Sequence, residues 1–122
     1  MSIKSFFDLQ VWQLSHDFVI YVYNITRNYP RDEIYGLISQ FRRAAVSIPA
    51  NIAEGFGKAS KKEKVHFLSI SQGSLEECRY YIILSRDLGY IDINEENLLM
   101  ERITEISKML SACTKSLQRY HS

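Results

Sequence analysis

Cysteine and proline each occur only twice in these 122 residues, and glycine five times. Cys78 and Cys113 are far apart, with no second cysteine nearby to make a chelating or redox pair, so they read as reduced core thiols and exclude a disulfide framework. With so few breakers there is no low-complexity linker or tail, and no internal repeat is present. Long hydrophobic runs are missing as well. None approaches membrane-spanning length, and Asp8 and Gln10 interrupt what would have to be an N-terminal signal region, so a cytoplasmic location without a membrane partner is expected. Net charge is close to absent, at +1 from 15 basic and 14 acidic residues.

Hydrophobic residues make up 46% of the chain, enough for a genuine core, and a single domain over residues 1–122 is expected. The organising stretch is Gln40 to Ser60, QFRRAAVSIPANIAEGFGKAS. Phe41, Ala45, Ile48, Ile52 and Phe56 recur at intervals of four and three, which puts them on one side of a helix facing a core. Gln40, Arg43, Ser47, Asn51 and Glu54 form a second, hydrogen-bonding stripe about a quarter turn away. Its structural reading is a buried, fully paired network. Pro49 stands between the stripes. It removes a backbone donor and its ring meets the carbonyl of Ala45, at a cost of about 3 kcal/mol in a helix interior. The uninterrupted spacing predicts a helix that continues through a kink at Pro49, with Ser47 or Asn51 satisfying the freed carbonyl.

Four helices are predicted. The first runs from about Asp8, as N-cap, to about Arg27, and Tyr29-Pro30-Arg31-Asp32 supplies the stop and turn. Its apolar residues nearly encircle it. One buried face does not account for them: either this helix is central, or a subunit contact covers its second side, with members of the Val11, Leu14, Phe18, Tyr21 and Ile25 set expected in that contact. The second helix starts near Asp32 and ends at Gly55–Gly57. Ser60 and Glu63 form a capping box for the third, which stops at Gly89 and carries Gly73 and Ser74 as small packing residues. Asn94 caps the fourth, whose seam is Leu99, Ile103, Ile106, Leu110, Cys113, Leu117 and Tyr120. Short connections between long helices imply an all-α, antiparallel up-down-up-down four-helix bundle with a proline-kinked second helix.

Most candidate chemistry fails on count. Glu63-x-x-His66 has the spacing of a di-iron ligand pair, but a second such pair is missing, and capping is a sufficient role for Glu63. His16 reads as a hydrogen-bonded packing residue, and His121 lies at a frayed end. No nucleophile motif or phosphate-holding glycine loop is present. Neither catalysis nor a metal or cofactor is expected. Charge, however, is unevenly placed. Arg42, Arg43, Lys58, Lys61, Lys62 and Lys64 stand against Glu54 and Glu63, a local +4 that leaves −3 for the remainder. That concentration marks either a polyanion surface or a solvated lysine turn.

The residues themselves resemble a family. Phe7-Asp8-Leu9 with Val11-Trp12, Tyr35-Gly36-Leu37, Gln40, Arg42-Arg43-Ala44, the run Ser47-Ile48-Pro49-Ala50-Asn51-Ile52-Ala53-Glu54-Gly55, Gly73-Ser74-Leu75-Glu76 and Leu88-Gly89-Tyr90-Ile91 are similar to the bacterial four-helix-bundle proteins related to those encoded in 23S ribosomal RNA intervening sequences. Phe41 departs from it, since the family tends to carry a smaller aliphatic residue there. The resemblance implies an antiparallel bundle that assembles into a closed ring, usually of five subunits. One related branch, the accessory protein of diversity-generating retroelements, is strongly basic and associates with a reverse transcriptase and nucleic acid, whereas this chain is almost neutral.

Two functions remain open. In one, the protein is a nucleic-acid-associated module, with RNA or DNA and a nucleic-acid-processing protein as partners. There Arg42, Arg43, Lys58, Lys61, Lys62 and Lys64, repeated around a homo-oligomer, contact phosphates. In the other it is a non-catalytic scaffold or adaptor for a protein partner. Gln40, Ser47, Pro49, Asn51, Glu54 and Gly55 are assigned structural roles in either case.

Overall fold

The computed structural model describes residues 4–120, the last by its backbone alone. Four helices, α1 (Gln10–Thr26), α2 (Leu37–Phe56), α3 (Lys61–Asp87) and α4 (Ile93–Tyr120), account for most of it, and short 3-10 turns at Phe6–Asp8 and Arg31–Glu33 precede α1 and α2. No strand occurs among the described residues. Helix α1 packs on α2 and α4, and α3 packs on α2 and α4, so the four enclose one core. Phe18, Val22, Phe41, Ile48, Ile52, Leu75, Ile82, Leu99, Ile103, Ile106 and Leu110 are sealed from solvent in it. Truncating one of the larger of these would cost about 2–5 kcal/mol. Phe41 is accommodated with its ring 5.9 Å from that of Tyr81.

Helix ends differ from expectation in four places, each for a local reason. Asp8 does not cap α1. Its carboxylate accepts from the Lys4 and Ser5 amides and closes a capping box around the first 3-10 turn. Helix α2 begins at Leu37 rather than near Asp32, because Pro30 starts a separate 3-10 turn and Glu33 Oε1 then accepts from the Leu37 amide at 3.2 Å. At α3, Ser60 Oγ accepts from the Glu63 amide at 3.1 Å, but the Glu63 carboxylate bonds the serine hydroxyl instead of its amide. Asp92, not Asn94, caps α4: Asp92 Oδ1 accepts from the Glu95 amide and Glu95 Oε1 from the Asp92 amide, a reciprocal box. The Tyr120 side chain and His121 lie outside the described residues.

Helix α2 continues unbroken through Pro49. The carbonyls just before the proline receive extra donors: Asn51 Nδ2 donates to the Ser47 carbonyl at 2.8 Å, and Ser71 Oγ, from α3, to that of Ile48 at 2.9 Å. Asn51 therefore serves the Ser47 carbonyl, one turn away from its own position, rather than that of Ala45. Gly55 permits the close approach of the α2–α3 corner, since a Cβ there would lie 3.0 Å from that of Phe67.

Helix α3 ends in a Schellman motif. Gly89 has φ +79°, its amide donates to the Arg86 carbonyl, and the Tyr90 amide reaches that of Ser85. Gly73 is not the packing residue expected: it is exposed, with no atom within 4 Å of where a Cβ would stand. Ser74 alone carries that role, buried with its hydroxyl 2.7 Å from Ser47 Oγ. These two glycines should respond oppositely to alanine. Gly89→Ala is expected to lower stability by about 1–2 kcal/mol, and Gly73→Ala to raise it by about 1 kcal/mol, both read from urea unfolding followed by circular dichroism.

Candidate functional site

The polar stripe of α2 faces α3, and it lies at the surface rather than in a buried network. Gln40, Arg43, Ala44 and Ser47 line one wall of a groove of about 250 Å³, with Ser74, Glu77 and Tyr81 on the other. Its pairings are specific. Tyr81 donates to Gln40 Oε1 at 3.1 Å, while Asn51 Nδ2 and Ser74 Oγ both meet Ser47 Oγ, at 2.9 and 2.7 Å. Glu54 pairs with Lys58 at 3.5 Å on the surface. Arg43 is exposed and holds no ion pair or hydrogen bond among the described residues.

The six candidate phosphate-binding cations separate into distinct environments. Arg42 is spent inside the protomer. Its Nε donates to Thr26 Oγ1 at 2.8 Å, an Nη donates to the Tyr23 carbonyl at 3.3 Å, and the guanidinium lies 4.5 Å from the Tyr23 ring centre. It thus ties the end of α1 to α2, because the guanidinium plane suits two donors and a ring face together. Lys64 donates to the Phe56 carbonyl at 3.0 Å, where the C-terminus of α2 offers unpaired acceptors. Lys58 sits beside Glu54 and 5.2 Å from the Phe67 ring. Lys62 is exposed and Lys61 half-buried near it, while Arg43 stands apart in the α2–α3 groove.

Sequence order hides a second source of positive charge at this end. The last turns of α4 come back beside the α2–α3 corner: Ala112, Cys113, Ser116 and Leu117 line a cleft together with Leu9, Phe56, Lys64 and Leu68. Lys115 and Arg119 therefore join Lys58, Lys61, Lys62 and Lys64. Segments 4–9, 54–64 and 112–119 together hold seven basic against three acidic residues, a net +4. No motif signals this arrangement, since it depends on which helix ends meet.

The subunit-contact residues assigned on α1 also need correction. Val11, Phe18 and Ile25 are buried in the protomer's own core. Leu14 faces α4 across a cleft shared with Leu98, Arg102 and Ile106, and the Arg102 guanidinium lies over the Tyr21 ring at 5.4 Å. Val11, Phe18 and Ile25 thus belong to the intramolecular seam, which the three-and-four spacing describes equally well, whereas Leu14 and Tyr21 are half-buried at its edge beside α4. A different seam faces outward. Phe6, Trp12, His16 and Val19 form an apolar groove of about 380 Å³ with Val46, Pro49, Ala50 and Ala53 of α2. His16 is exposed and stacked on Trp12, with ring centres 5.2 Å apart and planes within 3°, so it is a surface residue and not a hydrogen-bonded core one. Ile20 and Phe7, also on α1 and the turn before it, are about half exposed. The spacing of Trp12, His16 and Val19 against Val46, Ala50 and Ala53 was the available signal.

Both thiols are pushed above their ordinary range by burial, Cys78 most strongly, and are protonated at neutral pH. No group of three or more His, Cys, Asp or Glu side chains able to hold a metal occurs among the described residues. No described helix is long and apolar enough to cross a membrane.

Four helices around one core, with the residues of the SIPANIAEG run shared out among the core, α1 and α3, define a small helical-bundle protein. The chain belongs to the 23S rRNA-intervening sequence protein family, which it matches over residues 7–112. It is similar in fold to a Bacteroides thetaiotaomicron VPI-5482 protein of unknown function from the S23 ribosomal protein family, at 24% identity and a TM-score of 0.79, covering 86% of this chain and 95% of that one. Comparison with curated proteins finds no match.

The different environments of the cations predict different mutant behaviour. Arg42→Gln should lower stability by about 1.5–3 kcal/mol through loss of its charged hydrogen bonds, whereas Lys62→Gln should stay within about 0.5 kcal/mol of wild type. Urea denaturation of the two variants checks this.

Proposed function

We propose that the protein is a non-enzymatic, self-associating module built as an antiparallel up-down-up-down bundle, with its second helix kinked at Pro49. Copies join through the α1–α2 groove, and each presents its basic end to nucleic acid. The observation that carries this reading is the groove itself. Phe6, Trp12, Val46, Pro49, Ala50 and Ala53 put aromatic and small apolar side chains on one outer face. Leaving each large one in water forgoes about 1.5–3 kcal/mol. Pro49 belongs to this face, and the clash of its ring with the carbonyl one turn earlier supports a bend that shapes the groove. A heterologous contact repeated by rotation closes into a ring, and the family resemblance supports five copies.

The nucleic-acid part rests on the net +4 end, where repetition around a ring multiplies the phosphate contacts. A second reading, an adaptor for a protein partner without nucleic acid, is supported by Arg42, Lys58 and Lys64 having partners inside the protomer. Light scattering coupled to size exclusion tests self-association: a single species of one chain mass, 14.3 kDa, refutes it, and a species of twice that mass refutes the ring. Val46→Glu, at an exposed position of the groove, should shift the oligomer toward the single chain with helicity unchanged. Gel shifts with single-stranded RNA and duplex DNA test the other part. Wild-type binding should weaken steeply with salt, and replacing Lys61, Lys62 and Lys115 by glutamine should reduce both the binding and its salt slope. Wild-type protein that binds neither at low salt leaves the adaptor reading in its place.

A further inference from the structure

Opposite the basic end, the charge reverses. Segments 27–36 and 86–96 hold six acidic against three basic residues, a net −3. They form a single end of the molecule, because Tyr90 donates to Glu33 Oε2 at 2.8 Å, the Tyr29 hydroxyl bonds that of Ser85 at 2.7 Å, and Arg86 pairs with Glu96. The +4 and −3 ends together account for the whole net charge of +1, so the middle of the bundle is neutral.

Apolar surface divides between the ends in a complementary way. The basic end is hollow. Leu9, Ile52, Phe56, Leu68, Cys113 and Leu117 line a cleft of about 550 Å³, with Lys64 at its wall. The acidic end protrudes: Tyr35 is 94% exposed on the turn before α2, with Ile34, Leu88 and Ile93 about half exposed at the same end. This turn is held from beneath. Glu33 accepts from the Leu37 amide through one oxygen and from Tyr90 through the other, and the Tyr90 ring packs 5.0 Å from that of Tyr29. With the backbone of the turn already fixed, docking has only the rotamers of the Tyr35 side chain left to order.

We infer that copies of this protein associate end to end, with Tyr35 of one copy seated in the apolar cleft of the next. The carboxylates of Asp32, of Asp87, which is shared with Arg86 at 3.0 Å, and of Asp92, which is shared with the α4 cap, then face Lys61, Lys62 and Lys115. A second copy is the occupant because one chain carries both halves of the contact, matched in charge as well as in shape. Tyrosine suits the place, with an apolar ring for the cleft and a hydroxyl for its wet rim. The facing charges add an attraction that salt screens. Such a contact joins unlike surfaces along the bundle axis and extends without closing. It is separate from the lateral contact through the α1–α2 groove, and nucleic acid would compete with it for the same lysines.

Sedimentation velocity of the full chain at about 0.02 M and about 0.5 M salt, where screening differs severalfold in range, tests the inference. Species larger than the high-salt oligomer should appear at low salt and grow with concentration. Tyr35→Ala should weaken this step by roughly tenfold or more, with an unchanged melting temperature. Ser116→Trp, placed on the cleft wall, should do the same by filling the cleft. The charge reversals Lys62→Glu and Asp32→Lys, the latter at an exposed carboxylate with no capping role, should each suppress it, and combining them in one chain should restore it. The absence of larger species at low salt, or their survival in both Tyr35→Ala and Ser116→Trp, overturns the inference. So does uptake of dodecanoate by the cleft without end-to-end association, which would assign it to a small amphiphile. A failed lateral contact is read separately, from the size of the high-salt species.

Discussion

Helix α2 has neighbours on three sides, and the rest of the structure depends on its meeting all of them with one run of side chains. Phe41, Ala45, Ile48 and Ile52 fill the core, Ser47 and Asn51 reach Ser74 of α3, and Pro49, Ala50 and Ala53 line the groove beside Trp12 of α1. Its inward side is divided among these contacts and leaves little room for a bulky substitution, while Gln40, Arg43, Val46, Ala50 and Glu54 remain exposed. This explains why the segment is made of small and precisely alternating residues. It also explains how Pro49 is tolerated, for its ring lies in the groove with α1, while the neighbouring carbonyls of Ser47 and Ile48 take side-chain donors from Asn51 and Ser71.

Arg42 extends the same logic to the helix ends. A residue counted as surface charge turns inward because Thr26 and Tyr23 at the end of α1 present an acceptor oxygen, a carbonyl and a ring face within its reach. The neighbouring Arg43 has no such partner among the described residues and stands exposed in the α2–α3 groove. One position along a helix turns a side chain by about 100 degrees, enough to separate an internal tie from a surface cation.

Charge becomes informative once it is counted by position in space. A chain with a net +1 resolves into a bundle with one positive and one negative end because the acidic residues gather at the α3–α4 turn and the basic ones at the α2–α3 corner and the last turns of α4. A chain with little overall charge can therefore still carry a basic end, provided the helix ends that hold the cations are brought together. The arrangement also separates two kinds of surface: an apolar groove at the side of the bundle and charged ends.

By itself the sequence determined the all-helical class, the extent of α2 through Pro49, the Gly89 stop, and the inward seam of Leu99, Ile103, Ile106 and Leu110, because periodicity and glycine or proline chemistry act within a turn or two of the chain. It did not settle which of two apolar seams on α1 faces the core. Val11, Leu14, Phe18, Tyr21 and Ile25 recur at threes and fours, and so do Trp12, His16 and Val19, so only the positions of α2 and α4 distinguish the two seams. Capping at Asp8 and Asp92 was misread by a few residues because a turn of 3-10 helix or a nearby carboxylate competes for the same amides. Tertiary structure alone decided the fate of each cation, the return of the last turns of α4 to the α2–α3 corner, and the projection of Tyr35. Those outcomes depend on neighbours tens of residues away, which a pattern along one strand of sequence does not encode.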